Sequence, residues 1–168
     1  MSEPVNVTVT RESFPTRGVF TIARGSRTQA DVLTVRLDSG NSTGMGECVP
    51  YARYGETMDS VAAQIREIEP ELRQGLDRIA LQQLMPAGAA RNAVDCALWD
   101  LESKISGKPV WQLAALPEPG PVITAFTLSL DEPDAMQASA QANSHRPLLN
   151  ARQSAYSRCQ RRLECCRL

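Results

Sequence analysis

The chain has two lysines, one histidine and five cysteines, side chains that could serve as base, nucleophile or soft-metal ligand. Lys104 and Lys108 end a helical pattern, where a cation complements the helix dipole, so neither reads as a catalytic base. His145 stands close to Pro147 without acidic neighbours and reads as a surface loop residue. Cys48 and Cys96 lie singly in apolar contexts and read as small buried residues. Cys159, Cys165 and Cys166 lack the CxxC spacing of a zinc site, and no zinc is expected. Glu47, Glu56, Asp95 and Asp100 are carboxylates able in principle to move a proton or hold a hard cation. Asp95 and Asp100, however, fall inside the clearest helix and read as structural. No catalytic residue and no metal ligand is therefore assigned. A doubly basic stretch remains, Arg24-Gly25-Ser26-Arg27-Thr28-Gln29, suited to meeting an anion.

Composition bounds the function. The chain has 168 residues, 42% of them hydrophobic, and a net charge of −1. That allows a core and gives no overall case for nucleic acid or membrane binding. The start, MSEPVNVTVT, lacks a basic stretch followed by an apolar one, and no apolar run is long enough to span a bilayer. A cytoplasmic location is the default expectation. The last nineteen residues, NARQSAYSRCQRRLECCRL, hold three of the five cysteines and, with five Arg and one Glu, a charge of +4. They continue no pattern that precedes them.

The elements that must position these residues follow from periodicity. Val5, Val7 and Val9 alternate with polar residues as in a half-buried strand. Further strands are predicted at 19–23, 31–37 and 43–48, with Phe14-Pro15-Thr16-Arg17-Gly18 between the first two and a turn at 38–41. Short turns between the later strands favour an antiparallel meander. Helices are predicted across 57–105. Thr57 caps the first, with Val61, Ile65, Ile68 and Leu72 on one face and Pro70 interrupting it or starting a new turn. Asp77 caps the second, which Pro86 closes. The third carries Ala90, Ala93, Val94, Ala97, Leu98, Leu101 and Ile105, with Gly107 as C-cap and Pro109 beyond. One more turn is read at 110–115. After the Pro-rich linker at 117–121, a strand is predicted at 122–130 and a helix at 134–143. A parallel strand should then begin at about Pro147.

The segment AARNAVDCALWDLESKISGKPVWQL, residues 89–113, resembles the capping-domain helix of the mandelate racemase/muconate lactonising group of the enolase superfamily. The shared pattern is small residues at Ala90, Ala93 and Ala97, then Asp95, Asp100, Lys104, Gly107, Pro109 and Leu113. Ser103 departs from it, since Gly or Ala is usual there. Ala23-Arg24-Gly25-Ser26-Arg27 and the stretch GECVPYARYGET at 46–57 are similar to the two substrate-facing loops of dipeptide epimerases. Thr124-Ala125-Phe126-Thr127-Leu128-Ser129 is similar to their first barrel strand. The resemblance spans about 14–149.

It implies an α+β fold, with an antiparallel β-meander and helices forming a capping domain at 1–116. A linker and the first strand and helix of a truncated TIM-type barrel follow at 117–149, and an aberrant, disordered basic tail at 150–168. It also implies Mg²⁺-dependent removal of a proton next to a carboxylate in L-Ala-D/L-Glu-type dipeptides. A divalent cation offsets the enediolate charge and a base of matched pKa takes the proton. Enolase-superfamily sites pair a Lys or His base with Mg²⁺ for this purpose. Arg24 and Arg27 match a loop able to grip a distal carboxylate by bidentate hydrogen bonds; an exposed loop arginine is the other reading. Tyr54 matches the second specificity loop, with packing between domains as the alternative. Thr127 matches a barrel position near substrate, with simple packing as the alternative. The family's lysine pair lies on the second barrel strand, shortly after a segment like Ser144-His145-Arg146-Pro147-Leu148-Leu149. Here Asn150-Ala151-Arg152 stands in that place.

The chain is thus expected to be a truncated epimerase-like protein, inactive alone and binding no Mg²⁺, with self-association through an incomplete barrel. The loss of pattern after Leu149 suggests a frameshift or a mis-called gene end. Two alternatives stand beside this reading: a non-catalytic module that binds an anionic ligand or a partner with the capping fold, and a fragment of another superfamily enzyme such as a muconate cycloisomerase-like protein.

Overall fold

A computed structural model describes residues 4–22 and 25–151. Arg24 and the expected tail from 152 onward lie outside the described residues. Contacts divide the chain into two units: Met1–Phe14 with Gln29–Gly120, and Pro15–Thr28 with Pro121–Leu168.

Three strands form one sheet, β1 (Asn6–Ile22), β2 (Gly25–Ser39) and β3 (Ser42–Cys48), in the order β1-β2-β3. The predicted strand at 5–9 and residues 19–22 of the next, whose Ala23 lies outside the described residues, belong to one element, β1. Phe14-Pro15 does not break it, because β1 lies at a sheet edge, where a residue without an N–H is tolerated. In the first unit the period-two pattern holds. Val5 is 2% exposed, Val7 and Val9 pack against the core, and Asn6 and Thr8 face solvent. β2 and β3 pair antiparallel, with Leu33 opposite Cys48, Val35 opposite Gly46 and Leu37 opposite Gly44.

Helices α1 (Met58–Glu67), α2 (Glu69–Arg73), α3 (Arg78–Leu84), α4 (Ala89–Ser106) and α5 (Val110–Leu113) complete this unit. Thr57 accepts from the Ser60 amide while the Ser60 hydroxyl accepts from the Thr57 amide, a full capping box. Pro70 lies in the first turn of α2 and so starts a helix rather than breaking one. Asp77 accepts from the amides of Ile79 and Ala80 and caps α3. Gly107 takes φ 67° at the end of α4, where a side chain would be strained.

The core lies between the sheet and α4. Val61, Ile65, Leu72, Leu81, Ala93, Ala97 and Leu101 are fully buried. Gly44 and Gly46 bring β3 against the α4 backbone: a Cβ on Gly46 would sit 2.0 Å from the Ala93 carbonyl oxygen. Two expectations for α4 change. Ile105 is 49% exposed and Cys96 is exposed, since the buried stripe runs through 90, 93, 94, 97, 98 and 101 and bypasses both. The sequence also left Lys104 to the helix dipole. In the structure its ammonium donates to Asp100 and to the Thr43 carbonyl, each at 2.7 Å, and so ties α4 to β3.

The second unit holds β4 (Phe126–Thr127), α6 (Pro133–Ala142) and β5 (Leu149–Asn150). The strand predicted over 122–130 shortens to two residues because its partner is short. Phe126 N–H donates to Leu148 and Leu128 N–H to Asn150, both at 2.9 Å. β4 and β5 are parallel, with Phe126 opposite Leu149 and Thr127 opposite Asn150. The expected parallel strand therefore does form, at the point where the sequence pattern ends. Among the described residues no helix is long and apolar enough to cross a membrane.

Candidate functional site

In the second unit, the far end of the β1–β2 hairpin is tied to the chain just past β4. Ser129 Oγ accepts from the Thr21 amide at 2.9 Å and donates to the Val19 carbonyl at 3.3 Å. The Leu130 amide donates to Thr21 at 2.9 Å. Thr21 Oγ1 in turn lies 2.9 Å from Ser26 Oγ across the hairpin. The segment carrying Arg27 is thereby fastened, through Thr21, to residues two and three positions beyond Thr127. Arg27 is exposed, and its guanidinium lies 5.7 Å from the centre of the Phe20 ring, a weak cation–π contact that leaves its donors free to meet an anion. Thr127 is also exposed, and its Oγ1 is 3.4 Å from Asn150 Nδ2.

Tyr54 belongs to the first unit. It ends a single 3-10 turn, Ala52–Tyr54, is 76% exposed, and meets the Tyr51 ring at 5.9 Å and 42°. It borders an open concavity of about 570 Å³ with Cys48, Val49, Tyr51, Gly88 and Asn92. Burial, then the nearby charges of Glu56 and Glu47, push the Cys48 thiol up to about 11. It is a neutral thiol at physiological pH rather than a nucleophile. Thus Arg27 and Thr127 lie in one unit and Tyr54 in the other.

Of the four carboxylates singled out by type, Glu47 is exposed, while Glu56, Asp95 and Asp100 are half-buried and bonded to other parts of the fold. Asp95 accepts from Gln82 at 2.8 Å. Asp100 accepts from the Met45 amide at 2.8 Å and from Lys104. Burial pushes the Asp100 carboxyl up, but hydrogen bonds from Lys104 and Met45, with the Lys104 charge, outweigh it and hold the group below its ordinary value. A folded-state pKa below the unfolded one means stability that is complete above about pH 4 and lost as pH falls through the folded value. Asp100→Asn is expected to soften the loss of stability as pH falls below about 4. Thermal melts of both proteins from pH 7 to 2 check this, and parallel curves would remove Asp100 from the acid response. Glu56 is the residue whose position the sequence could not foretell. It bridges the Tyr51 amide at 3.0 Å and the Ala89 amide at 2.7 Å.

Among the described residues no group of three or more His, Cys, Asp or Glu side chains is placed to hold a metal ion.

Residues 4–114 match the family described as "Mandelate racemase / muconate lactonizing enzyme, N-terminal domain". The chain is 48% identical over 134 residues to the L-Ala-D/L-Glu epimerase of Escherichia coli (strain K12), covering 80% of this chain and 42% of that protein. It superposes on a crystal structure of an enolase family member from Agrobacterium tumefaciens with homology to dipeptide epimerases. The TM-score is 0.84 at 50% identity, covering 89% of this chain and 46% of that one. That structure holds sodium and L-Ala-L-Glu, with an ordered loop. A dipeptide epimerase from Enterococcus faecalis V583, complexed with Mg and L-Leu-L-Tyr, superposes with a TM-score of 0.78 at 25% identity, covering 92% and 46%. The chain thus spans somewhat under half the length of these relatives.

Proposed function

Because the chain belongs to the mandelate racemase/muconate lactonizing enzyme family, we propose that it supplies the capping domain and the first barrel elements of a dipeptide epimerase-like protein. The division is 1–116 for the capping domain, 117–149 for the linker and first β/α unit, and 150–168 for a tail. The substrate class is a small acidic dipeptide of the L-Ala-D/L-Glu type. Substrate binding falls to Arg24 and Arg27, suited to its distal carboxylate, and to Tyr54 and Thr127.

One observation carries the reading. The hairpin that bears Arg27 is hydrogen-bonded to residues 129 and 130, next to Thr127. A loop that grips one end of a ligand must be held in register with the strand that faces the rest of it, because misplacement by about 1 Å can cost a hundredfold in rate. The likeness to an epimerase at 48% identity supports the same substrate class.

The chain itself assigns no base. Its two lysines both stand near the end of α4, and Asn150-Ala151-Arg152 stands where the resemblance would place a Lys-x-Lys pair. Turnover by these 168 residues is therefore not expected. Solvent deuterium incorporation into L-Ala-L-Glu with MgCl₂, followed by proton NMR, should match the protein-free control. Incorporation well above that control would overturn the inactive reading. In calorimetric titration L-Ala-L-Glu should give more heat than neutral L-Ala-L-Leu, and Arg24→Ala with Arg27→Ala should abolish the difference. Equal heats from the two dipeptides would remove the acidic-substrate assignment.

A further inference from the structure

Glu56 joins two elements through one carboxylate. Its Oε2 accepts the Tyr51 amide at 3.0 Å and its Oε1 accepts the Ala89 amide at 2.7 Å. Tyr51 opens the turn that carries Tyr54, and that turn is closed by its own backbone bonds: Tyr54 N–H to Tyr51 at 2.9 Å, and Gly55 N–H to Ala52 at 3.0 Å. Ala89 is the first residue of α4, and the N-cap residue, Gly88, offers no side-chain hydrogen bond. The carboxylate takes over that task and meets the positive end of the helix dipole. Gly88 leaves the room it needs, since a Cβ there would come 3.0 Å from Oε1.

Tyr54 is 76% exposed, so little packing fixes its ring beyond the tilted contact with Tyr51. Its direction depends on the turn, and the turn is bound to the longest helix of the unit by Glu56. We propose that Glu56 is a positioning residue, which locks the Tyr51–Gly55 turn to the start of α4 and so aims Tyr54 at the edge of the concavity. The functional meaning rests on reading Tyr54 as substrate-facing. The mechanical role does not.

Two variants test it. Glu56→Gln keeps the shape but has a single carbonyl oxygen, so one of the two amides faces a donor instead of an acceptor. Glu56→Ala removes both acceptors. Amide hydrogen exchange is expected to speed up about tenfold or more at Tyr51 or Ala89 in the Gln variant and at both in the Ala variant. The Tyr54 ring resonances should move towards those of free tyrosine as contact with Tyr51 is lost. Leu33 and Leu101 amides, deep in the core, should keep their wild-type exchange rates. Unchanged exchange and ring signals in both variants would overturn the proposal. So would uniform acceleration at all four amides, which would make Glu56 a residue of the fold as a whole. Titration of the wild-type chain with L-Ala-L-Glu then separates the two ideas. If the Tyr54 signals ignore the dipeptide, the substrate-facing reading fails while the exchange result still decides the role of Glu56.

Discussion

Gly46→Ala should destabilise the first unit by about 3 kcal/mol or more, a large share of the roughly 5–15 kcal/mol that is ordinary for a domain. The added Cβ would lie 2.0 Å from the Ala93 carbonyl oxygen and 2.7 Å from the Ala97 amide nitrogen. At Gly44 it would lie 2.2 Å from the Ala97 carbonyl oxygen and 2.6 Å from Leu101 Cβ. These are chiefly backbone atoms of a helix, which cannot swing aside as a side chain can. Both glycines sit in register with Val35 and Leu37 on the face of the sheet that α4 covers. Relief would require α4 to lift off β3, which would also strain the bond from the Met45 amide to Asp100 and that from Lys104 to the Thr43 carbonyl. Ala93→Gly should fail to rescue Gly46→Ala, because the clash is with a carbonyl rather than with the alanine methyl. Gly120→Ala is the control: a Cβ there meets nothing within 4 Å. Urea unfolding followed by circular dichroism checks all four proteins, and a wild-type midpoint for Gly46→Ala would mean that strand and helix do not meet so closely.

The same contact shows what the sequence could reveal. Thr57, Asp77 and Gly107 announced their helix ends because a cap is a local event between residues a few positions apart. The buried stripe of α4 was legible for the same reason. The small residues Ala93 and Ala97 hinted at close packing, but not at its partner, since Gly46 lies far before them in the chain. Strand lengths were misjudged where pairing is distant. β1 continues through Phe14-Pro15 because β2 supports it, and β4 stops at Thr127 because β5 is short.

For the candidate site, residue type was legible and role was not. Glu56 read as one carboxylate among several. Its partners are two backbone amides, one of them 33 positions away, and a backbone amide leaves no mark in a sequence. Asp100 and Lys104 likewise looked like a helical pair at spacing four, which they are, but they also hold the amide of Met45 and the carbonyl of Thr43. The Arg27 segment was legible as a basic loop only. The Ser129 bridge that holds its hairpin joins residues 108 positions apart.

The chain is expected to self-associate through its second unit, with a dissociation constant between about 1 μM and 1 mM, or roughly −8 to −4 kcal/mol. A parallel pair of strands is stable only when both faces are covered, and two strands alone are marginal in water. Among the described residues β4 and β5 pair only with each other. Val122 is 85% exposed, Ile123 64% and Leu148 48%. Burying one such side chain is worth about 1.5–3 kcal/mol, so a contact that covers three offsets much of the cost of association. Open strand edges supply the direction in which a second copy would add. Sedimentation velocity across a hundredfold range of concentration should show a rising average mass. Val122→Lys with Ile123→Lys should return the chain to a monomer, because two ammonium groups cannot be buried there without partners. A wild-type chain that stays monomeric at millimolar concentration would mean that this apolar segment is covered from within the chain itself. The Lys pair would then lower the melting temperature instead of the mass.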